Sequence, residues 1–252
     1  MNTAFEHIDG QNKDVFIFGD HASRHIPAQM DNLGLSGDDL TRHIAWDIGT
    51  AQIIRHLCAA FSCAGLLCGT SRLVIDCHRD EAAPGLIPEA SDGTDIPGNI
   101  GISAEESARR LKTYYHPYHT ALSGALDRLA ADPLIISVHS FTPKPKTGDF
   151  RLTEIGLLAR HDMESAETLS GLFMQLGRNF TIGINTPYSA YDLNHTVDTH
   201  VAPRGFRHIV LEVRQDFVDA PGKAKDMADV LADRLQPLVR RVPKARLGLI
   251  TP

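Results

Sequence analysis

Two histidines stand at the ends of apolar runs, where the side chains of an open α/β sheet can bind a ligand. His21 ends the run Asp14-Val-Phe-Ile-Phe-Gly-Asp-His, and His139 ends the run Leu134-Ile-Ile-Ser-Val-His. Ligands of such sheets bind outside the carboxyl ends of the strands. Neutral imidazole is a favoured zinc ligand, and a catalytic zinc takes three protein ligands and leaves a fourth position for water. The sequence therefore predicts one divalent metal per chain, most simply Zn²⁺, held by His21 and His139.

Asp47 is the predicted third metal ligand. It lies in the segment His43-Ile-Ala-Trp-Asp-Ile-Gly, among apolar neighbours where an unpaired carboxylate is costly. Metal coordination would satisfy this carboxylate, and so would a helix cap or an ion pair with an arginine. The spacing alone favours neither alternative.

Glu212 lies in the middle of an apolar run, His208-Ile-Val-Leu-Glu-Val-Arg. Strand alternation places Glu212 and Arg214 on one face of the sheet. Glu212 is predicted to be the general base that takes a proton from the attacking water. The alternative is a buried partner of Arg214.

A second charged segment reads Ser71-Arg-Leu-Val-Ile-Asp-Cys-His-Arg. As a strand it would place Arg72, Asp76 and His78 on one face and turn Arg79 away or into the next loop. Arginine makes forked hydrogen bonds to carboxylates, so Arg72 and Arg214 are predicted to hold a substrate carboxylate or to stabilise an oxyanion. A structural pair between Arg72 and Asp76 is the alternative.

Two more histidines, His116 and His119, are three residues apart in the segment Tyr114-Tyr-His-Pro-Tyr-His and share a predicted helix face. They fit a second metal site, a proton relay or a surface cluster, and a surface cluster is the default interpretation.

These residues are positioned by alternating strands and helices, a pattern typical of an α/β layer fold with a largely parallel sheet. The predicted strands are Val15–Gly19, Leu66–Leu67 leading to Leu73–Cys77, Leu134–Val138, Ile155–Ala159 and His208–Val213. The predicted helices are Asp38–Ala60, Ala104–Ala130, with a kink or restart near Pro117, Glu164–Leu176 and Gly222–Val239. The irregular stretch Arg79–Ile102 is predicted to be a loop over the site, within one domain that spans residues 1–252.

Composition supports small-molecule chemistry in a globular protein. The 252 residues are 42% hydrophobic and 22% charged, and the net charge of −6 gives no global attraction to nucleic acid or to anionic membranes. The four cysteines form no C-x-x-C and are expected to be reduced core thiols. With a polar N-terminus and no long apolar run, a cytoplasmic protein is expected. The sequence contains no G-x-S-x-G, Walker, G-x-G-x-x-G or H-E-x-x-H motif.

Several short motifs in fixed order resemble the N-formylglutamate amidohydrolase family, from about Val15 to Phe217. They are Asp20-His-Ala-Ser with Ile26-Pro, His43-Ile-Ala-Trp-Asp-Ile-Gly, Ser71-Arg-Leu-Val-Ile-Asp-Cys-His-Arg, Ile96-Pro-Gly-Asn, Tyr115-His-Pro-Tyr-His, Val138-His-Ser-Phe-Thr-Pro, Asn185-Thr-Pro-Tyr and Leu211-Glu-Val-Arg. Two positions depart from the family pattern, because His78 stands where the motif has asparagine and the first strand end reads His21-Ala-Ser. The chain therefore resembles a divergent branch of the family.

The resemblance implies a three-layer, mostly parallel mixed sheet flanked by helices, similar to phosphorylase/hydrolase-like and zinc carboxypeptidase-like folds. It implies zinc-dependent cleavage of the amide of an N-acyl amino acid that bears a carboxylate. His21 and His139 match the family's metal-binding histidines, and Glu212 matches the expected general base. Within these motifs the predicted substrate-binding residues are Arg79, Asn185, Ser140 and His116. The alternative function is a non-catalytic binding protein for an anionic metabolite on the same fold.

Overall fold

A computed structural model describes residues 4–175 and 180–241 of the chain, and these contain nine strands. In chain order the strands are β1 (Phe5–Ile8), β2 (Asn12–Gly19), β3 (Cys63–Cys68), β4 (Ala90–Ser91), β5 (Thr94–Asp95), β6 (Leu134–Phe141), β7 (Ile155–Leu158), β8 (Ile182–Ile184) and β9 (Arg207–Arg214). The α-helices of the same residues are α1 (Thr50–Phe61), α2 (Ala104–Arg110), α3 (His116–Leu126), α4 (Met163–Gln175) and α5 (Pro221–Val239).

Seven of these strands form one mixed sheet in the order β1-β3-β2-β6-β9-β7-β8. The pairs β3–β2, β2–β6, β6–β9 and β7–β8 are parallel, whereas β1–β3 and β7–β9 are antiparallel. The prediction of a mostly parallel mixed sheet is confirmed. The strands β2, β6 and β9 therefore lie side by side and place their carboxyl ends at one edge.

The sheet is buried on both faces, which makes the molecule three layers thick. On β2, Val15 and Ile17 pack into an apolar cluster with side chains of α1, α4 and α5, whereas Phe16 and Phe18 pack into a second cluster with α3. Strands that are buried on both faces are continuous apolar runs, which is why β2, β6 and β9 were predictable from the sequence.

The first predicted helix, Asp38–Ala60, is wrong in its first part. Only Thr50–Phe61 is α-helical, and the preceding residues form a short 3₁₀ turn and a loop. Gly49 precedes the helix with a φ of 82°, a left-handed conformation that favours glycine. A Cβ atom at Gly49 would lie 2.6 Å from the Val218 carbonyl oxygen. The helix therefore begins only at Thr50 and leaves Asp47 in a loop, where its backbone N–H donates to the His21 carbonyl oxygen at 2.9 Å.

The predicted strand Leu73–Cys77 is also wrong, because this buried segment is a series of turns outside the sheet. Its backbone groups bond to loops and side chains rather than to a neighbouring strand. The Asn99 side chain donates to the Leu73 carbonyl oxygen, Arg110 donates to the Val74 carbonyl oxygen, and the Asp76 N–H donates to the Leu86 carbonyl oxygen. These hydrogen bonds take the place of those between paired β-strands and allow an apolar segment to be buried outside the sheet.

The remaining helices follow the predicted pattern with somewhat different limits. Predicted helix Ala104–Ala130 is two α-helices joined by a π-helical turn, Leu111–Tyr115, and Pro117 lies in the first turn of α3, where a helix tolerates proline. Ser103 caps α2 by accepting a hydrogen bond from the Glu106 N–H. Helices α4 and α5 match their predictions, and Leu176 lies outside the described residues.

Other features concern the chain as a whole. All four cysteines are buried and free. None of the helices in the described residues is long and apolar enough to cross a bilayer. The assignment of residues 1–252 to one domain stays a prediction.

Candidate functional site

The carboxyl ends of β2, β6 and β9 open onto a cavity of about 180 Å³. Seven of the predicted site residues line it together: His21, Asp47, Arg72, Arg79, His139, Ser140 and Glu212. The loop after β3 also contributes Asp76 and His78. The predicted convergence of strand-end histidines, Asp47 and Glu212 is therefore present in the structure.

His21, Asp47 and His139 form a compact buried group at the base of the cavity. Asp47 Oδ2 lies 2.9 Å from His139 Nδ1 and 3.5 Å from His21 Nδ1. One ligand atom from each of the three residues falls within 4.8 Å of the others, a spacing that suits a single cation. His21 Nδ1 has no hydrogen-bond partner among the described residues.

A carboxylate lies behind the His21 ring and sets its orientation. Asp76 Oδ1 is 2.6 Å from His21 Nε2. This hydrogen bond directs Nδ1 towards Asp47, as is common for metal-binding histidines. Burial and Arg72 oppose protonation of His21, but Asp76 and Asp47 still raise its pKa.

His139 experiences an even stronger negative field. Burial would lower its pKa, but the nearby carboxylates of Asp20 and Asp47 raise it to about 10. Burial would raise the pKa of Asp47, but Arg72 and His21 hold it well below its usual range. The two imidazoles of this group therefore favour the protonated, positively charged form next to the ionised carboxylate of Asp47.

Glu212 faces the same group from the neighbouring strand. It is the direct register partner of His139 in the parallel pair β6–β9 and is 7% exposed. Burial raises the pKa of Glu212 to about 7, although His139 opposes this shift. Its Oε2 atom is buried without a hydrogen bond from the described residues. On the antiparallel side Glu212 is opposite Gly156, where a Cβ atom would lie 3.1 Å from that of Glu212.

Arg72 and Arg79 bring two cations to the cavity. Arg72 Nη2 pairs with Asp47 Oδ1. Burial would lower the pKa of Arg72, but the charges of Asp47 and Asp76 raise it. Arg79 Nε is 3.3 Å from Asp76 Oδ2, and its side chain is 41% exposed. Both arginines were predicted at the site, although the strand used to predict them is absent.

The residues present fit a bound divalent cation. Asp47, Asp76 and Glu212 line the cavity together with the guanidinium groups of Arg72 and Arg79, and the carboxylate of Asp20 contacts His78 and His139 beside it. His21 Nδ1 is buried without a hydrogen bond from the described residues. Two imidazoles and a carboxylate form a donor set typical of zinc sites.

Arg214 lies outside the cavity lining, which corrects its prediction as a catalytic or substrate-binding residue. Its Nε and Nη2 atoms bind Asp216, and its Nη1 atom donates to the carbonyl oxygens of Arg151 and Leu152. The guanidinium group also lies over the rings of Phe150 and Phe217. These contacts hold Arg214 at the end of β9, away from the cavity lining and from the predicted alternative partner Glu212.

Asn185 and His116 are likewise displaced from the predicted substrate site. The Asn185 side chain bonds to the backbone of Ala159 and Ala190 and holds the loop after β8. His116 is on the surface, 3.1 Å from Glu81, with a side chain that is 51% exposed. Neither residue lines the cavity.

His119 does not form a pair with His116, so the surface-cluster interpretation is wrong for it. It is buried, and its Nδ1 atom lies 2.8 Å from His200 Nε2. Burial lowers the pKa of His119 to about 4. Neither His116 nor His119 belongs to a potential metal-binding group within the described residues.

Ser140 lines the cavity but already has partners on both sides. Its hydroxyl donates to the Ile48 carbonyl oxygen at 2.7 Å and accepts from Gln215 Nε2 at 3.2 Å. These bonds attach the loop that carries Asp47 to the end of β6. A substrate contact by Ser140 stays a prediction.

Sequence reasoning left several residues of the site without a role, namely Asp20, Asp76, His78, Tyr118 and Tyr188. Asp20 is adjacent to His21, and Asp76 and His78 belong to the Arg72 segment, so their positions carried a signal. Tyr118 reaches the site from α3 and Tyr188 from a loop after β8, and neither has a sequence pattern that connects it with β2 or β6.

A sequence profile described as N-formylglutamate amidohydrolase matches residues 14–218. Among curated proteins there is no significant match to the chain.

Two solved structures are similar over nearly the whole chain. The gene product Atu2144 from Agrobacterium tumefaciens has 31% sequence identity and a TM-score of 0.88, and the match covers 94% of this chain and 95% of that one. An N-formylglutamate amidohydrolase from Ralstonia eutropha JMP134 has 18% identity and a TM-score of 0.68, with coverage of 97% and 99%. The second likeness supports the fold.

Proposed function

Because the chain belongs to the N-formylglutamate amidohydrolase family, we propose that it is a metal-dependent amidohydrolase that cleaves the amide of an N-acyl amino acid. The observation that carries this proposal is the buried group of His21, Asp47 and His139 beside Glu212, in a cavity that also contains two arginines. The grouping of two imidazoles with a carboxylate supports a divalent cation and favours Zn²⁺.

The residues that would hold the cation are His21 through Nδ1, Asp47 through Oδ2 and His139 through Nδ1, because these atoms face one another. When bound, zinc polarises a carbonyl group and makes water easier to deprotonate. Arg72 holds the other oxygen of Asp47, so this carboxylate keeps Oδ2 directed at the two imidazoles.

Glu212 is the proposed general base. A base is most effective when its pKa lies near the working pH, and burial brings the pKa of Glu212 to about 7. Its unpartnered Oε2 atom can accept a proton from the attacking water and return it to the nitrogen of the leaving amine. Hydrolysis then gives a carboxylic acid and a free amino acid.

Arg72 and Arg79 are the proposed substrate-binding cations. Guanidinium groups match the geometry of carboxylates, and two of them suit a substrate with two carboxylates such as an N-acyl glutamate. The name of the Ralstonia eutropha structure supports this substrate class. The partner is therefore a small molecule, and the free cysteines favour the cytoplasm, where thiols stay reduced.

A deacylation screen tests the function. Purified chain with added Zn²⁺ is assayed on the N-formyl, N-acetyl and N-succinyl derivatives of glutamate and of glutamine, and the released amine is measured. The two amino acids differ only in the side-chain carboxylate. We expect turnover of at least one N-acyl glutamate and a kcat/KM about 10- to 100-fold lower for its glutamine counterpart, because a hydrogen-bonded charge contributes about 1.5–3 kcal/mol. The absence of zinc-dependent turnover on every substrate would contradict the proposal.

A further inference from the structure

Each of the two candidate ligand histidines has a buried carboxylate on the side away from the shared cation position. For His21 this carboxylate is Asp76, at 2.6 Å from Nε2. For His139 it is Asp20, whose Oδ2 atom is 3.5 Å from Nε2. The two rings are thus held in the same way but at different distances, and the longer contact is the informative one.

Asp20 is fixed in place by the fold. It directly precedes His21 at the end of β2, and its side chain is completely buried. The Tyr118 hydroxyl of α3 donates to Asp20 Oδ1 at 2.8 Å. The other oxygen, Oδ2, lies 2.9 Å from His78 Nδ1. A carboxylate held at one oxygen by a tyrosine presents its second oxygen in a defined direction.

The hydrogen bonds of His139 show why this second oxygen matters. A histidine that binds a cation through one ring nitrogen carries its proton on the other nitrogen, and that N–H normally donates to a carboxylate, carbonyl or water. If Nδ1 serves the group with His21 and Asp47, the proton is on Nε2. His139 Nε2 is buried and has no hydrogen bond to the described residues, and Asp20 Oδ2 is at the outer limit of hydrogen-bond length.

We propose that Asp20 is a positioning residue that accepts the Nε2–H of His139 and thereby presents Nδ1 to His21 and Asp47. This inference rests on the proposed metal site. Asp20 does not itself line the cavity, and it acts through the orientation of the His139 ring.

His78 competes with His139 for the same oxygen atom. Its Nδ1 atom is closer to Asp20 Oδ2 than His139 Nε2 is, at 2.9 Å against 3.5 Å. Removal of this imidazole leaves Asp20 Oδ2 to His139 alone, so H78A is expected to keep or tighten metal binding, whereas D20N weakens it.

The same atoms admit another interpretation, in which Asp20, His78 and His139 bind a second cation. The geometry favours the positioning role, because His139 Nδ1 lies 2.9 Å from Asp47 Oδ2, whereas His139 Nε2 lies 3.5 Å from Asp20 Oδ2. A second cation would also require both nitrogens of His139 to be ligands at once. This interpretation becomes an outcome of the test.

The test measures zinc affinity by competition with a chelator, zinc stoichiometry by elemental analysis, and the visible spectrum of the Co²⁺-loaded protein. The variants are D20N and H78A, with D162N as a matched control. Asp162 receives hydrogen bonds from Ser165 and from the His208 N–H and lies outside the cavity lining. Thermal unfolding confirms that each variant folds, and Y118F replaces D20N if that chain does not fold.

We expect D20N to bind zinc about 10- to 100-fold more weakly than wild type with a changed cobalt spectrum, as found for carboxylates behind ligand histidines. Y118F should shift affinity in the same direction by less, and D162N should lower the melting temperature without changing affinity or spectrum. Unchanged affinity and spectrum in D20N, or in Y118F when it stands in, would overturn the inference. Two zinc ions per wild-type chain, with one lost in both D20N and H78A, would also overturn it. A wild-type chain that binds no zinc would instead overturn the proposed function.

Discussion

The turn segment at residues 71–79 and the strand β9 both carry arginines next to acidic residues, but only the first brings its arginines to the cavity. Arg72 pairs with Asp47 and Arg79 with Asp76, and both acidic partners line the cavity. Arg214 at the end of β9 pairs with Asp216 and with backbone oxygens beyond the cavity. The position of the partner carboxylate therefore decides whether an arginine serves the site or the fold.

The two segments also contribute acidic residues with opposite properties. Burial would raise the pKa of Asp76, but the nearby His21 and Arg72 hold it well below its usual range. Glu212 has no direct cationic partner in the described residues, and burial raises its pKa to about 7. One carboxylate is thereby kept ionised as a partner for His21, and the other is able to exchange a proton near neutral pH.

The largest effect is expected from Glu212. E212Q keeps the shape of the side chain but removes the base, so kcat should fall by about 10²- to 10⁴-fold while zinc is retained. Glu154 provides a matched control, since it lies near Arg214 on the other side of β9, and E154Q should keep kcat within about twofold of wild type. Steady-state kinetics measure kcat, and elemental analysis measures the zinc bound per chain. Loss of zinc in E212Q would make Glu212 a ligand, and full activity would remove it from the mechanism.

The two arginines provide a direct contrast. R72K keeps the charge but loses the planar fork, and it should lower kcat/KM for N-acyl glutamate by about 10- to 100-fold. R214K should leave kcat/KM nearly unchanged and lower the melting temperature, because lysine cannot reproduce the bonds to Asp216, Arg151 and Leu152. Equal kinetic defects in the two variants would break the distinction between the segments.

The smallest effect is a pH dependence of stability in the metal-free protein. The folded pKa of Glu212, about 7, is above the ordinary value of 4.5, so folding favours the protonated form. The stability from this protonated group is fully present at low pH and is lost as the pH rises from about 4.5 to about 7. E212Q should therefore gain a few °C in melting temperature relative to wild type at pH 8, and little at pH 4. An equal difference at both pH values would contradict the assigned pKa shift.

The sequence was most informative where both faces of a strand are buried. The buried parts of β2, β6 and β9 are mostly apolar, and the parallel pairing of β6 and β9 places His139 opposite Glu212. The apolar segment Leu73–Cys77 has the same composition but lies outside the sheet, because Asn99 and Arg110 satisfy its backbone groups. Those two partners are distant in sequence, so local periodicity could not distinguish the two cases.

Prediction of the site from the sequence is limited in the same way, by contacts between residues that are distant along the chain. His21, His139 and Glu212 were recognisable because polar residues in apolar runs are costly unless they have a role or a partner. Asp20 was visible next to His21, but its link with Tyr118 depends on the packing of α3 against β2. The orientation of a side chain such as Arg214 depends on which partners the fold brings near, and no spacing rule gives that information.

The stoichiometry of zinc tests the central claim most directly. Wild type, H21A, H139A and the control H116A are dialysed against a known concentration of free Zn²⁺, and bound zinc per chain is measured by elemental analysis. His116 is a surface histidine outside the cavity, so H116A should bind one zinc per chain like wild type. H21A and H139A should each lose most of the metal, because each removes one of three protein ligands. One zinc per chain in both of these variants would contradict the assignment of the metal to His21, Asp47 and His139.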